Sequence, residues 1–152
     1  MSEPLRVLVT RPAGQAQGLC EGIEAAGAVA IHIPAIEILS SDNTAPLAAV
    51  CDVLEQFDLA VFISVNAVQH GLDFILGRRE WPAGTQIAAV GPTSSAAIEQ
   101  RGLQVDLVPG HEYSSEGLLA LDILQSVRGW RVVIFRGNGG RNTLRDLSLI
   151  HI

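Results

Sequence analysis

The chain has 152 residues, 48% hydrophobic and 17% charged, with a formal net charge of -6, enough for one compact domain or one domain and part of a second. A mean hydropathy of +0.32 is too apolar for a disordered tail, and no apolar run approaches the ~20 residues of a membrane helix. A pI near 5.1 without a basic run argues against a nucleic-acid partner.

All ten basic residues are arginine, so every full cation is a planar fork suited to carboxylate or phosphate. The N-terminus lacks a basic stretch followed by an apolar one, which predicts a cytoplasmic rather than a secreted protein. Cys20 and Cys51 lack CxxC spacing and fall at apolar helical positions, as buried thiols of a reducing compartment would. The four histidines show no metal-ligand spacing, so a zinc or iron enzyme is not expected.

In chain order, Arg6 to Thr10 reads as a buried strand closing at Arg11-Pro12. Ala16, Leu19, Cys20 and Ile23 then mark one face of a helix ending near Gly27. Val29, Ile31 and Ile33 alternate as a second strand, and after Pro34 the alternation resumes at Ile36 and Ile38 as a long extended segment. Leu47, Val50, Cys51 and Leu54 repeat the helical spacing, with Thr44 as cap and Pro46 in the first turn. Asp58 to Ile63 is a strand, followed by a helix with Val68, Leu72, Ile75 and Leu76 on one face. Gln86 to Val90 is a strand, and a helix runs from Pro92 to Gln100 before Gly102. Val105 to Val108 reads as a strand, and a helix opening at Ser114 is predicted to bury Ala120, Ile123, Leu124 and Val127. Arg131 to Phe135 is the last clear strand, running into Arg136 to Arg141 and a final helical start. Strands alternating with helices predict an α/β fold with a doubly wound parallel sheet.

Ligands of such sheets collect where strands enter helices. Five junctions carry small, polar or glycine-rich residues: Thr10-Arg11-Pro12, Ser64 to Ala67, Gly91 to Ser95, Tyr113 to Gly117, and Arg136 to Arg141. Together they suit an anion. The last is the richest, since glycines let a ligand approach the backbone and arginines grip carboxylates in pairs. It equally describes a glycine-rich turn between two solvated arginines. GxGxxG would need glycine where Asn142 stands, and GK[ST] is missing. Ser114 or Ser115 with Glu116 also reads as helix capping, as do Thr93, Ser94 and Ser95. Ser64 has no GxSxG context, Asp58 and Glu37 form no spaced carboxylate pair, and the role of Tyr113, the one tyrosine, stays open. Such a site works by positioning.

Val7-Leu-Val-Thr-Arg-Pro12 followed by Ile33-Pro-Ala-Ile-Glu37 resembles the opening of uroporphyrinogen-III synthases. The resemblance continues through Phe57 to Ser64 with Asn66-Ala67-Val68, Ala88 to Gly91, Ser114 to Leu118, and Val133 to Gly137 with Gly139-Gly140-Arg141. It implies a cofactor-free cytosolic enzyme that turns hydroxymethylbilane, a linear tetrapyrrole rich in carboxylates, into uroporphyrinogen III. Water leaves to give an azafulvene, a spiro intermediate forms at ring D, and the macrocycle closes with that ring inverted. It also implies two similar α/β domains joined by extended crossovers, with the active-site cleft between them. Residues 1–35 would begin a split domain one and 36–146 form domain two. The tail 147–152 resembles translated transposon-end adapter sequence, so the chain reads as C-terminally truncated. Matched by motif, the substrate-facing candidates are Thr10, Arg11, Ser64, Asn66, Gly91, Thr93, Ser115, Gly137, Gly139 and Arg141; Arg136 has an alternative, structural reading. No catalytic acid is carried over to Tyr113. The family is expected to be monomeric, and a fragment lacking its sheet partners is expected to self-associate. Two rival readings are a nucleotide- or dinucleotide-binding domain using the Gly137 to Gly140 loop, and a two-lobed sensor without chemistry.

Overall fold

A computed structural model describes residues 3–137. The chain divides into two compact units, Met1–Asp42 and Asn43–Ile152. The first holds strand β1 (Arg6–Val9), helix α1 (Gln17–Ala25) and strand β2 (Val29–His32). The strands pair in parallel, Arg6 opposite Val29 and Val9 opposite His32. A parallel pair needs a crossover, and α1 supplies it, packing on both strands. Gly27, at φ 81, stops the helix. The N–H of Gly27 reaches Glu24 O and that of Ala28 reaches Ile23 O, a paired closure of the last turn that favours glycine. The predicted extended stretch around Ile36 and Ile38 is irregular and forms no ladder among the described residues.

The second unit contains α2 (Ala45–Asp52), β3 (Leu59–Phe62), α3 (Val65–Ala67), α4 (Asp73–Leu76), β4 (Gln86–Ala89), α5 (Pro92–Glu99), α6 (Ser115–Leu119) and β5 (Val132–Phe135). A π-helical stretch, Val68–Leu72, joins α3 to α4. The sheet order is β4-β3-β5, all parallel, with Leu59 opposite both Gln86 and Val132. Alternate strand residues feed two cores. Ala60, Phe62, Ile87, Ala89, Val133 and Phe135 meet Cys51 and Leu54, Val68, Leu72 and Ile75, and Ala97 and Ile98. Leu59, Val61, Ala88 and Val132 meet Leu118, with Leu121 and Leu124 packed around them. Helices on both faces are the doubly wound arrangement, and they explain why these strands read as unbroken apolar runs.

The in-register pair Phe62 and Phe135 stacks at 4.6 Å between ring centroids. The π stretch brings Gly71 against this stack, where a Cβ would lie 2.9 Å from the Phe135 ring. At the opposite, amino-terminal edge, the Asp58 carboxylate accepts the Arg131 N–H at 2.7 Å. The buried Thr85 hydroxyl donates to Phe57 O at 2.8 Å, with Leu54 O at 3.1 Å.

Three further features differ from the sequence reading. Val105 to Val108 is no strand but a single bridge between Leu107 and Ala88, because the Asp106 side chain accepts the Ile87 N–H at 2.7 Å and takes the place of a ladder carbonyl. The helix opening at Ser114 ends at Leu119 and gives way to a 3-10 turn, Asp122–Ser126. That change of pitch leaves Ala120 and Ile123 exposed and buries Leu118 and Val127. Thr44 occupies the cap position of α2 without a side-chain bond; Asn43 Oδ1 accepts the Ala45 N–H instead, at 3.1 Å.

Arg101, just past α5, grips Asp73 at the start of α4 with two guanidinium nitrogens. Its hydrogen bond holds the Asp73 carboxyl below its ordinary value, and Asp73 in turn raises Arg101. A carboxyl with a lowered folded-state pKa contributes stability above its unfolded value and loses it as pH falls through the folded value. The Asp73 side chain is 51% exposed, so solvent limits the pair to under ~1 kcal/mol. Asp73→Asn is therefore expected to lower urea stability slightly at pH 7. The difference should disappear once acid has protonated Asp73 in the parent chain.

Candidate functional site at the carboxyl edge of the parallel sheet

Because every strand of the second unit runs the same way, each exits at one edge. Ser64 and Asn66 follow β3, Gly91 and Thr93 follow β4, Ser115 follows the segment bridged at Leu107, and Arg136 and Gly137 follow β5. These predicted residues are thus brought to one edge by topology alone. Gly139 and Arg141 lie outside the described residues. Thr10 and Arg11 leave β1 in the first unit, both exposed. Their backbone is pinned by Ala35 N–H to Thr10 O at 3.1 Å, and His32 Nε2 lies 2.9 Å from Arg11 O.

The serines divide by role. Ser64 begins α3 as its cap, its hydroxyl oxygen accepting the Ala67 N–H at 3.1 Å, which leaves its own O–H available at the edge. Ser114, not Ser115, caps α6: its oxygen accepts the Gly117 N–H at 3.0 Å while its O–H donates to Glu112 Oε1 at 3.0 Å. Ser115 sits half-buried in the first turn. Glu116 stands one place too early to close a reciprocal box, since the third helical position is Gly117, and its charge instead complements the helix amino end. Ser95 is buried and donates to Glu99 Oε1 at 3.1 Å, whereas Thr93 is exposed. Gly91 opens α5 with no side chain to spend on capping.

The chain leaves β4 toward one face, where Ala97 and Ile98 of α5 join the first core. It leaves the Leu107 segment toward the other, where Leu118 of α6 joins the second. Loops that diverge to opposite faces from neighbouring strands open a crevice, the customary ligand position of α/β sheets. At its base Gly91 and Tyr113 are in contact, a Cβ at Gly91 falling 3.4 Å from Tyr113 Cβ.

Sequence reasoning passed over Glu112 and included Gly117 in the Tyr113 to Gly117 junction without giving it a role of its own; the two residues shape this loop together. A Cβ on Gly117 would fall 1.9 Å from the Glu112 carbonyl oxygen, so only glycine lets the loop fold over the helix. The signal was present as a glycine in the third position of a serine-capped helix. Among the described residues no group of three or more His, Cys, Asp or Glu could hold a metal ion. Ser64 and Ser114 cap helices, and Ser95 and Ser114 donate to Glu99 and Glu112 close by in the chain, contacts that secure the backbone. What the edge offers is hydroxyls and backbone amides on rigid strand exits, suited to binding and orienting a polar ligand.

A parallel sheet covered by helices on both faces, with small polar residues at its carboxyl edge, places the second unit in the doubly wound α/β class, whose customary ligand position is that edge. The family described as uroporphyrinogen-III synthase HemD matches residues 17–147, and the chain belongs to that family. It is 34% identical over 143 residues to the uroporphyrinogen-III synthase of Escherichia coli, covering 93% of this chain and 58% of that protein. It is 32% identical to the Salmonella typhimurium synthase over 144 residues, with the same 93% and 58% coverage. The crystal structure of uroporphyrinogen III synthase from Thermus thermophilus shares the fold at a TM-score of 0.51 and 17% identity, covering 93% of this chain and 55% of that one. The chain thus spans little more than half the length of these relatives.

Gly117→Ala is expected to destabilise the second unit by about 2 kcal/mol or more, since backbone rather than a flexible side-chain end must move. A urea titration followed by circular dichroism measures it. Stability equal to the parent would contradict the close packing of the Glu112 carbonyl on α6.

Proposed function

We propose that the chain supplies substrate-binding elements of a uroporphyrinogen-III synthase, which converts hydroxymethylbilane into uroporphyrinogen III and water with inversion of ring D. The carrying observation is membership of the family over residues 17–147. The carboxyl edge supports the same reading, because a ligand fringed with acetates and propionates matches exposed amides, hydroxyls and arginine forks. Arg11 stands exposed at one strand exit and Arg136 at another. The net charge of -6 does not oppose this, since local arginines bind carboxylates whatever the global sign.

Spontaneous closure of hydroxymethylbilane gives the uninverted macrocycle, so the synthase's task is conformational. It holds the reactive cation in the one arrangement from which ring D inverts. In this reading Thr10, Arg11, Ser64, Asn66, Gly91, Thr93, Ser115, Gly137, Gly139 and Arg141 face substrate, and no cofactor takes part. Residues 1–35 begin domain one and 36–146 form domain two. The break between compact units at Asp42 falls in the irregular segment after Pro34, where a crossover belongs. We read the protein as a cytoplasmic one; among the described residues no helix is long and apolar enough to cross a membrane.

The test is incubation of the chain with fresh hydroxymethylbilane, followed by chromatographic separation of the uroporphyrin isomers after oxidation. A chain spanning 58% of its E. coli relative is expected to bind the bilane and slow its spontaneous closure, yielding the type I isomer. Type III product above background would show that these residues suffice for catalysis. Closure at the unassisted rate, with type I product alone, would overturn the binding role.

A further inference from the structure

We infer that Tyr113 is a stacking platform for one pyrrole ring of the tetrapyrrole, an assignment that rests on the reading just given. The chain's aromatic residues are four phenylalanines, two tryptophans and one tyrosine. The phenylalanines and tryptophans are buried or half-buried, while Tyr113 is 57% exposed. An exposed aromatic ring on a mobile loop would signify little. This ring stands on a fixed mount.

Three contacts immobilise its backbone. Ser114 N–H bonds to Glu112 O at 2.8 Å, Ser114 Oγ bridges Glu112 Oε1 and Gly117 N, and the Glu112 carbonyl lies against Gly117 where no Cβ fits. On its other side the tyrosine lies against Gly91, whose backbone at φ -158 is one that any residue adopts. Glycine there is not demanded by conformation; it lets the stem of Tyr113 pack closely on the exit of β4, a further restraint on where the side chain starts. A rigidly held, solvent-exposed aromatic at the carboxyl edge contributes contact area with little ordering cost, which is the usual character of a binding anchor.

Local charge decides which part of the ligand belongs here. Glu112 and Glu116 flank the tyrosine and are exposed, so a substrate carboxylate is disfavoured at this end of the edge. A neutral pyrrole face is not. Tyr113 therefore meets the ring, through its own ring rather than its hydroxyl, and selects a tetrapyrrole over a simple polycarboxylate.

The experiment titrates the 152-residue chain with uroporphyrin III, followed by the shift of its Soret band, and separately with citrate by calorimetry. Tyr113→Phe should bind uroporphyrin within about twofold of the parent, whereas Tyr113→Leu and Tyr113→Ala should bind about fivefold more weakly. Citrate affinity should not change, and circular dichroism should confirm folding of these surface variants. Parent-like affinity in the leucine and alanine variants would overturn the platform and leave the tetrapyrrole reading standing. A parallel loss of citrate binding would also overturn it, by showing a carboxylate contact. No binding of uroporphyrin by the parent chain would overturn both.

Discussion

The second unit depends on burying β3 from every side. All four of its residues are buried, and it is hydrogen-bonded to β4 on one flank and β5 on the other. Side chains at alternate positions must therefore satisfy two different cores, Ala60 and Phe62 one, Leu59 and Val61 the other. A slip of one residue would exchange these sets, placing phenylalanine where a smaller space is shaped for leucine and valine. Register is thus specified by volume as well as by hydrogen bonds. Once β3 is fixed, its parallel partners have their ends fixed too. The edge where Ser64, Gly91 and Gly137 emerge is a consequence of that packing, not of any property of the loops themselves.

What could be read from the residues follows from the same constraint. Strands buried on both faces appear as short unbroken apolar runs, and Leu59–Phe62, Val132–Phe135 and all of Gln86–Ala89 after its first residue fall within such runs. The helix face carrying Val68, Leu72 and Ile75 was legible because all three are wholly buried, even though the backbone between them widens into a π turn. That widening was not legible. It answers to the distance between Gly71 and the Phe135 ring, a contact between residues far apart in the chain. The same applies at Val105 to Val108, whose apolar pattern fits a strand. A single carboxylate on Asp106 bonds its neighbour's backbone and reduces the pairing to one bridge. A side chain that competes for backbone donors can overrule a good local pattern.

The site was legible as a set of junctions but not as a division of labour. Ser64, Ser114 and Ser115 look alike in the sequence, yet two of them spend an oxygen lone pair on a helix amino terminus. Neither capping nor ligand binding excludes the other for Ser64, because accepting a bond leaves its O–H free to donate. Ser114 differs, since its O–H is committed to Glu112. Tyr113, whose sequence context suggested nothing, acquires meaning from the rigidity of the residue after it and the smallness of Gly91 beside it. Position in an architecture, rather than residue type, made that distinction.

The first unit is held by different means. Its described residues form a two-stranded parallel sheet, the helix α1 and a 3-10 turn, Ala13–Gln15, and Leu5, Leu8, Leu19, Val29, Ile33, Ile36, Ile38 and Leu39 are exposed there. Parallel strands are ordinarily covered on both faces and rarely persist as pairs, so apolar burial contributes little to holding these residues together. Local opening free energy tracks that burial, and the first unit should therefore open before the second. For Thr10 and Arg11 the restraint is consequently polar: the bond from Ala35 N–H to Thr10 O and the contact of His32 with Arg11 O tie the loop to the exit of β2. A substrate carboxylate bound at Arg11 would add to those few bonds. On the proposed reading, binding there would be coupled to ordering of this unit, whereas the edge built on β3 owes its order to packing alone.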